Sequence, residues 1–132
     1  MMAAAYRTEE PAPSGGRARL RRVLLVDDDP LVRRALASIL QLDAEVVTAS
    51  DRRTALGMLE QSRFDAIICD HDLPDGTGFD VLETWARAGR PASRFVLHTG
   101  RRDIDPAEVR VVLKPSDPSV FRSFLREVAE GT

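Results

Sequence analysis

Four short apolar runs in this chain each stop on a polar residue of chemical consequence. "RVLLV" (22–26) runs into Asp27-Asp28-Asp29-Pro30, "FDAIIC" (64–69) into Asp70, "RFVLH" (94–98) into Thr99, and "VRVVL" (109–113) into Lys114-Pro115. A short, nearly continuous apolar run bounded by polar residues reads as a strand buried on both faces. The segments between these runs carry helical periodicity, so strand and helix alternate along the chain. A parallel sheet covered by helices on both sides is the architecture that buries such strands.

The intervening segments fill in the pattern. "PLVRRALASILQL" (30–42) places Leu31, Ala35, Ile39 and Leu42 at helical spacing, with Asp29 as N-cap and Pro30 in the first turn. "AEVVTA" (44–49) is a further strand, and "DRRTALGMLEQS" (51–62) a helix with Ala55, Met58 and Leu59 on one side. "LPDGTG" (73–78) is a turn, and "FDVLETWARAG" (79–89) a helix on which Trp85 is expected half-buried. "PSVFRSFLREVAE" (118–130) closes the chain as a helix with Phe121, Phe124 and Leu125 inward. The fold expected is α/β: a flavodoxin-like, doubly wound parallel sheet of five strands in the order 2-1-3-4-5. Ligands of such sheets bind at the carboxyl ends of the strands, where Asp27, Asp28, Asp70, Thr99 and Lys114 would gather. Only "RRDIDPAE" lies between Gly100 and Val109, with Pro106 in its middle. A parallel crossover normally takes about a dozen residues or more, so the fourth helix is expected to be short, irregular or missing.

Residues 1–22 read as a flexible N-terminal tail and 23–132 as the domain. The tail, "MMAAAYRTEEPAPSGGRARLRR", has no apolar periodicity. A solvated arm is the simpler reading, and a docking arm for an acidic partner the alternative. The formal net charge of −2, with no basic stripe interleaved by aromatics, argues against nucleic-acid binding. No apolar run approaches the roughly 20 residues of a membrane span, and none resembles the core of a secretory signal. The one cysteine, Cys69, excludes an internal disulfide and fits a reducing cytoplasm, where it would act as a small apolar filler. His71 and His98 have no Cys or His partner at metal-ligand spacing, so zinc is not expected.

Three carboxylates converging in one crevice repel each other, and a hard divalent cation relieves the repulsion. Carboxylates, a carbonyl and water suit Mg²⁺. With the metal bound, Asp70 stays ionised and can attack phosphorus. Phosphoryl transfer asks for little beyond positioning and charge neutralisation. Lys114 is the only lysine among the 19 lysines and arginines of the chain. Its compact ammonium can serve as a point charge where a planar guanidinium would not fit. A Lys-Pro bond can also adopt the cis form and turn the side chain into the crevice. The Thr99 hydroxyl can bond a further phosphoryl oxygen.

"VLLVDDDPLVRRAL", "DAIICDHDLPDGTGFDVL", "FVLHTG" and "VVLKP" together resemble the successive motifs of a response-regulator receiver domain (CheY-like, of two-component signalling), from about Val23 to Ala129. The resemblance implies that Asp70 is the phosphoacceptor, with Pro74 and Gly78 at the family's spacing. It implies that Asp27 and Asp28 form the Mg²⁺ site, Asp28 binding directly and Asp27 partly through water, with the backbone carbonyl of Asp72 completing the shell. Thr99 and Lys114 match the hydroxyl and the lysine that follow the phosphate. The implied partners are a sensor histidine kinase or histidine phosphotransfer protein and a downstream protein target, with no nucleic acid or membrane, and the chain a monomer or weak homodimer. A signalling module rather than an enzyme is implied. Two positions depart from the pattern: the compressed segment after Gly100, and Val111, where the last strand commonly carries an aromatic. The Thr-Gly pair beside that segment resembles a minority receiver subclass.

Asp72 and Arg101 are further expected to meet across the crevice mouth and tune water access to the phosphate, with two solvated loop charges as the alternative. Other readings remain. "CDHDLPDGTG" resembles the D-x-D loop of aspartyl-phosphate phosphatases, but follows the second apolar strand rather than the first. A flavodoxin-like FMN site would need hydroxyls and glycine where three aspartates stand. A phosphate sink, or a receiver module of a hybrid kinase or phosphorelay, keeps the same fold; a native start at Met1 favours a free-standing regulator.

Overall fold

The computed structural model describes residues 20–105 and 109–131. Its main sheet contains β1 (Leu20–Val26), β2 (Ala44–Ala49), β3 (Ala66–Asp70), β6 (Phe95–Thr99) and β7 (Arg110–Leu113). A two-residue hairpin, β4 (Asp72–Leu73) and β5 (Gly76–Thr77), stands apart from it. The helices are α1 (Pro30–Leu40), α2 (Arg52–Gln61), α3 (Gly78–Arg87) and α4 (Ser119–Glu130), with a 3₁₀ turn at Ala92–Arg94. All pairings in the main sheet are parallel, in the order β2-β1-β3-β6-β7. Counted within that sheet this is the expected 2-1-3-4-5.

Alternation along the strands sends side chains to two separate cores. Leu24, Val26, Ile67, Cys69, Phe95 and Leu97 face Ala55, Val81 and Trp85 of α2 and α3. Val23, Leu25, Ile68 and Val96 face Leu36 and Leu40 of α1 and Phe121, Phe124 and Leu125 of α4. Both faces of the central strands are therefore dry, which is why their sequences read as unbroken apolar runs. Cys69 is wholly buried, and burial pushes its thiol far above the ordinary range, as expected of a filler.

Four expectations need correction. The buried stripe of α1 is Leu36 and Leu40, supported by Val32 and Ala37; Leu31 and Ala35 are exposed and Leu42 lies beyond the helix end. Two apolar stripes run along that segment, and the crossing angle onto the sheet, which spacing does not reveal, selects between them. Trp85 is buried rather than half-buried, its Nε1 donating to the Pro91 carbonyl at 2.8 Å. β1 starts at Leu20, three residues inside the segment read as tail. Leu20 N bonds the Asp43 carbonyl, and the amides of Arg21 and Arg22 bond Asp65 Oδ2. Finally, "FDAIIC" enters its strand two residues late, at Ala66. The rest of the proposed tail lies outside the described residues. Residues 101–105 and 109 form no helix, in line with the short or irregular fourth helix; Ile104 packs on the core beside Val111.

Candidate functional site

Strand register brings the polar strand ends to one level. Val26 pairs with Cys69, so Asp27 and Asp70 follow side by side; Asp70 pairs with His98, and Thr99 with Leu113. Lys114 N then donates to the Thr99 carbonyl at 2.8 Å, and the Lys114-Pro115 peptide is cis. The expected residues converge. Lys114 Nζ lies 3.1 Å from Asp27 Oδ2 and 3.1 Å from Asp70 Oδ2. One carboxylate oxygen each from Asp27, Asp28 and Asp70 falls within 4.8 Å of the others. Asp27, Asp70 and Thr99 are buried, and Asp28 is exposed at the mouth.

Each carboxylate has a different environment. Asp27 Oδ1 accepts the Asp29 amide at 2.9 Å, which leaves Oδ2 for Lys114. Asp70 Oδ1 accepts the Asp72 amide at 3.3 Å. Burial raises the Asp70 carboxyl above the ordinary carboxylate value, against the opposing pull of Lys114. For Lys114, burial opposes the charge, but its bonds to Asp70 and Asp27 outweigh that and hold the ammonium above its usual value. The donors are hard oxygens carrying excess negative charge, with one lysine set against three aspartates. That set fits Mg²⁺ in chemistry. The Asp72 carboxylate is not among the converging three: it turns to Arg101, Nη1 to Oδ1 3.4 Å. Only its backbone carbonyl is left to play the part the resemblance implies.

Arg101 and Asp72 do meet, but Arg101 binds Asp103 more closely, at 2.7 and 3.0 Å. The Arg101 amide also donates to Thr99 Oγ1 at 3.1 Å. Two supporting residues, Arg33 and Asp75, escaped the sequence reading. Arg33 Nη1 donates to the Asp27 carbonyl at 2.7 Å, so α1 holds the acidic pair from behind. Asp75, at the hairpin turn after Asp70, accepts the Arg52 and Arg53 amides at 2.7 and 2.9 Å and ties that loop to the start of α2. Gly78 admits no side chain, since a Cβ there would lie 2.5 Å from Leu97 Cδ2 and 2.9 Å from the Asp70 carbonyl oxygen. The glycine was visible in the sequence; the other two act across gaps that no local spacing encodes.

A doubly wound sheet with an acidic pair, a third aspartate, a threonine and a lysine at its carboxyl edge defines a small class of α/β signalling modules. The family model described as the response regulator receiver domain matches residues 23–123, and the chain belongs to that family. It is 32% identical over 120 residues to the nitrate/nitrite response regulator protein NarP of Escherichia coli, a match covering 84% of this chain and 56% of NarP. The chain thus spans about half the length of that relative. Among solved structures, the chemotaxis response regulator CheY4 of Vibrio cholerae is similar at 27% identity and a TM-score of 0.68, over 83% of this chain and 98% of that one. The response regulator TrrA of Thermotoga maritima, solved in complex with Mg²⁺-BeF, shares the fold at 22% identity and a TM-score of 0.71, over 83% and 99%.

Proposed function

We propose that Asp70 accepts a phosphoryl group from a phosphohistidine of a sensor kinase or phosphotransfer protein, and that the modified domain signals through protein contacts. The observation that carries this reading is the bridge from Lys114 Nζ to Asp70 and Asp27, which places a cation beside one otherwise free carboxylate oxygen at the crevice floor. An oxygen of Asp70 forms the new bond to phosphorus as the donor's P–N bond breaks. The electron pair departs with the imidazole, which takes up a proton. Lys114 neutralises charge on one phosphoryl oxygen, and the Thr99 hydroxyl donates to another. Mg²⁺, held by Asp27, Asp28, Asp70 and the Asp72 carbonyl, would supply the remaining charge neutralisation when bound. Holding the Asp72 carboxylate on Arg101 supports the receiver reading over the phosphatase one, in which the second aspartate of D-x-D serves as acid.

Among the described residues no helix is long and apolar enough to cross a membrane. The single cysteine, Cys69, suits a reducing, cytoplasmic setting. The test is intact mass after incubation with a small-molecule phosphodonor, with and without Mg²⁺, beside Asp70→Asn. One added phosphoryl group that needs both Mg²⁺ and Asp70 supports the reading; equal addition to the Asp70→Asn protein overturns it.

A further inference from the structure

Five arginines meet at the end of the sheet opposite Asp70. Arg21 and Arg22 follow Leu20 in β1, Arg63 precedes β3, Arg90 precedes the 3₁₀ turn before β6 and Arg94 is its last residue; with Glu45 and Asp65 they line one groove. Five guanidinium groups against two carboxylates leave three positive charges in excess, on a chain whose formal net charge is −2. Both carboxylates are already engaged. Asp65 Oδ2 accepts the Arg21 and Arg22 amides at 2.8 and 3.2 Å, and Glu45 pairs with Arg22 at 3.6 Å. The Arg90 guanidinium donates to the Phe64 carbonyl at 2.6 Å and lies 5.1 Å from the centre of the Trp85 ring. Arg21, Arg63 and Arg94 form no ion pair with any described residue.

Arg63 and Arg90 also line a second groove, which therefore adjoins the first. It lies between the carboxyl ends of α2 and α3 and is floored by Leu59, Phe64 and Trp85. Each groove encloses about 630 Å³, room for a few side chains. Arginines that line one groove with no ion pair among the described residues repel one another, and an anionic ligand removes that cost. Guanidinium forks match carboxylates and phosphates alike; the adjoining apolar floor decides between them. A phosphate backbone has nothing to place there, and the one tryptophan that could stack a base is buried beneath Arg90.

We propose that the two grooves together bind an acidic peptide segment of a partner protein. Its carboxylates would lie on Arg21, Arg63 and Arg94, and one apolar side chain would lie against Leu59, the half-buried apolar residue of the second groove. The surface is a strand's length from Asp70, so this contact is separate from the phosphorylation reading.

The experiment uses the full chain and a short fluorescein-labelled peptide of Asp, Glu and one central Leu, followed by anisotropy at low salt. Saturable binding that also shifts the emission of Trp85 is expected. The Arg63→Ala/Arg94→Ala protein should bind about tenfold more weakly or worse, since each arginine lost removes a charge-assisted contact. A peptide with Gln and Asn in place of the acids should not bind, and Asp70→Asn should bind the acidic peptide unchanged. Undiminished binding by the double variant overturns the proposal, as does no binding at millimolar peptide. Tighter binding of a single-stranded DNA oligomer or of phosphatidylserine vesicles than of the peptide overturns it too.

Discussion

The ammonium of Lys114 sits 3.1 Å from the Asp70 carboxylate, 44 residues away in sequence, and shares its remaining reach with Asp27. It thus stabilises the aspartates as it would stabilise a transferred phosphoryl group. Lys114→Ala should separate these two roles. Removing the cation leaves three carboxylates uncompensated, so Mg²⁺ should bind several-fold more tightly by titration calorimetry, in keeping with a stronger attraction of about 1 kcal/mol. Phosphorylation by the small-molecule donor should nevertheless slow about a hundredfold, the usual order for losing one stabilising donor. Unchanged rates would remove Lys114 from the transfer step.

Arg101 covers the crevice mouth through Asp72 and Asp103, and its amide holds Thr99 Oγ1. Both ion pairs are solvent-exposed and therefore weak contributors to stability. Their effect should appear in the lifetime of the phosphorylated form. Arg101→Ala keeps the backbone bond to Thr99 and opens the mouth to water, so dephosphorylation followed by intact mass should be about threefold faster, roughly 0.6 kcal/mol in barrier. An identical lifetime would reduce Arg101 to a solvated loop charge.

Gly78 packs where the backbone after Asp70 passes under α3, its amide donating to the His71 carbonyl at 2.8 Å. A methyl group there meets Leu97 and the Asp70 carbonyl at once. Leu97 can rotate, but the backbone oxygen cannot yield without moving Asp70. Gly78→Ala should therefore cost about 1–3 kcal/mol in urea denaturation and slow phosphorylation together. Gly57→Ala, with open space around its Cβ, should be neutral or stabilising by up to about 1 kcal/mol and serves as the control.

His98 lies buried beside Thr99, edge-on to Phe121, with Nε2 3.1 Å from Ser116 Oγ and Nδ1 without a hydrogen-bond partner among the described residues. Burial, reinforced by the nearby Lys114 charge, lowers its imidazolium to about 4 from the ordinary 6.5. The unfolded chain binds the proton between these values and the folded one does not. Stability from this group is thus complete above 6.5 and lost as pH falls from 6.5 towards 4, by up to about 3 kcal/mol. His98→Gln should flatten that part of the stability–pH curve in chemical denaturation. An equally steep curve would assign the loss to other groups.

The sequence by itself determined the sheet order and which side chains converge at its carboxyl edge. Unbroken apolar strands that end on Asp27, Asp70, Thr99 and Lys114 and alternate with helices call for a parallel sheet covered on both faces, and parallel register then brings their ends together. Lys114 stood out as the single lysine, and Asp29-Pro30 marked the start of α1 where the structure has it. Tertiary structure decided whatever depends on a second element's position. Leu36 and Leu40, not Ala35 and Ile39, face the sheet because of how α1 lies across it. Arg101 bridges Asp72 at 3.4 Å and Asp103 at 2.7 Å, the residue nearer in the chain making the closer pair. The arginine groove draws on four separate stretches of chain, of which only the first, ending in Arg21 and Arg22, looks basic in the sequence. Periodicity is a property of one segment, whereas a groove or a chosen ion-pair partner belongs to the distance between segments, which only the folded chain sets.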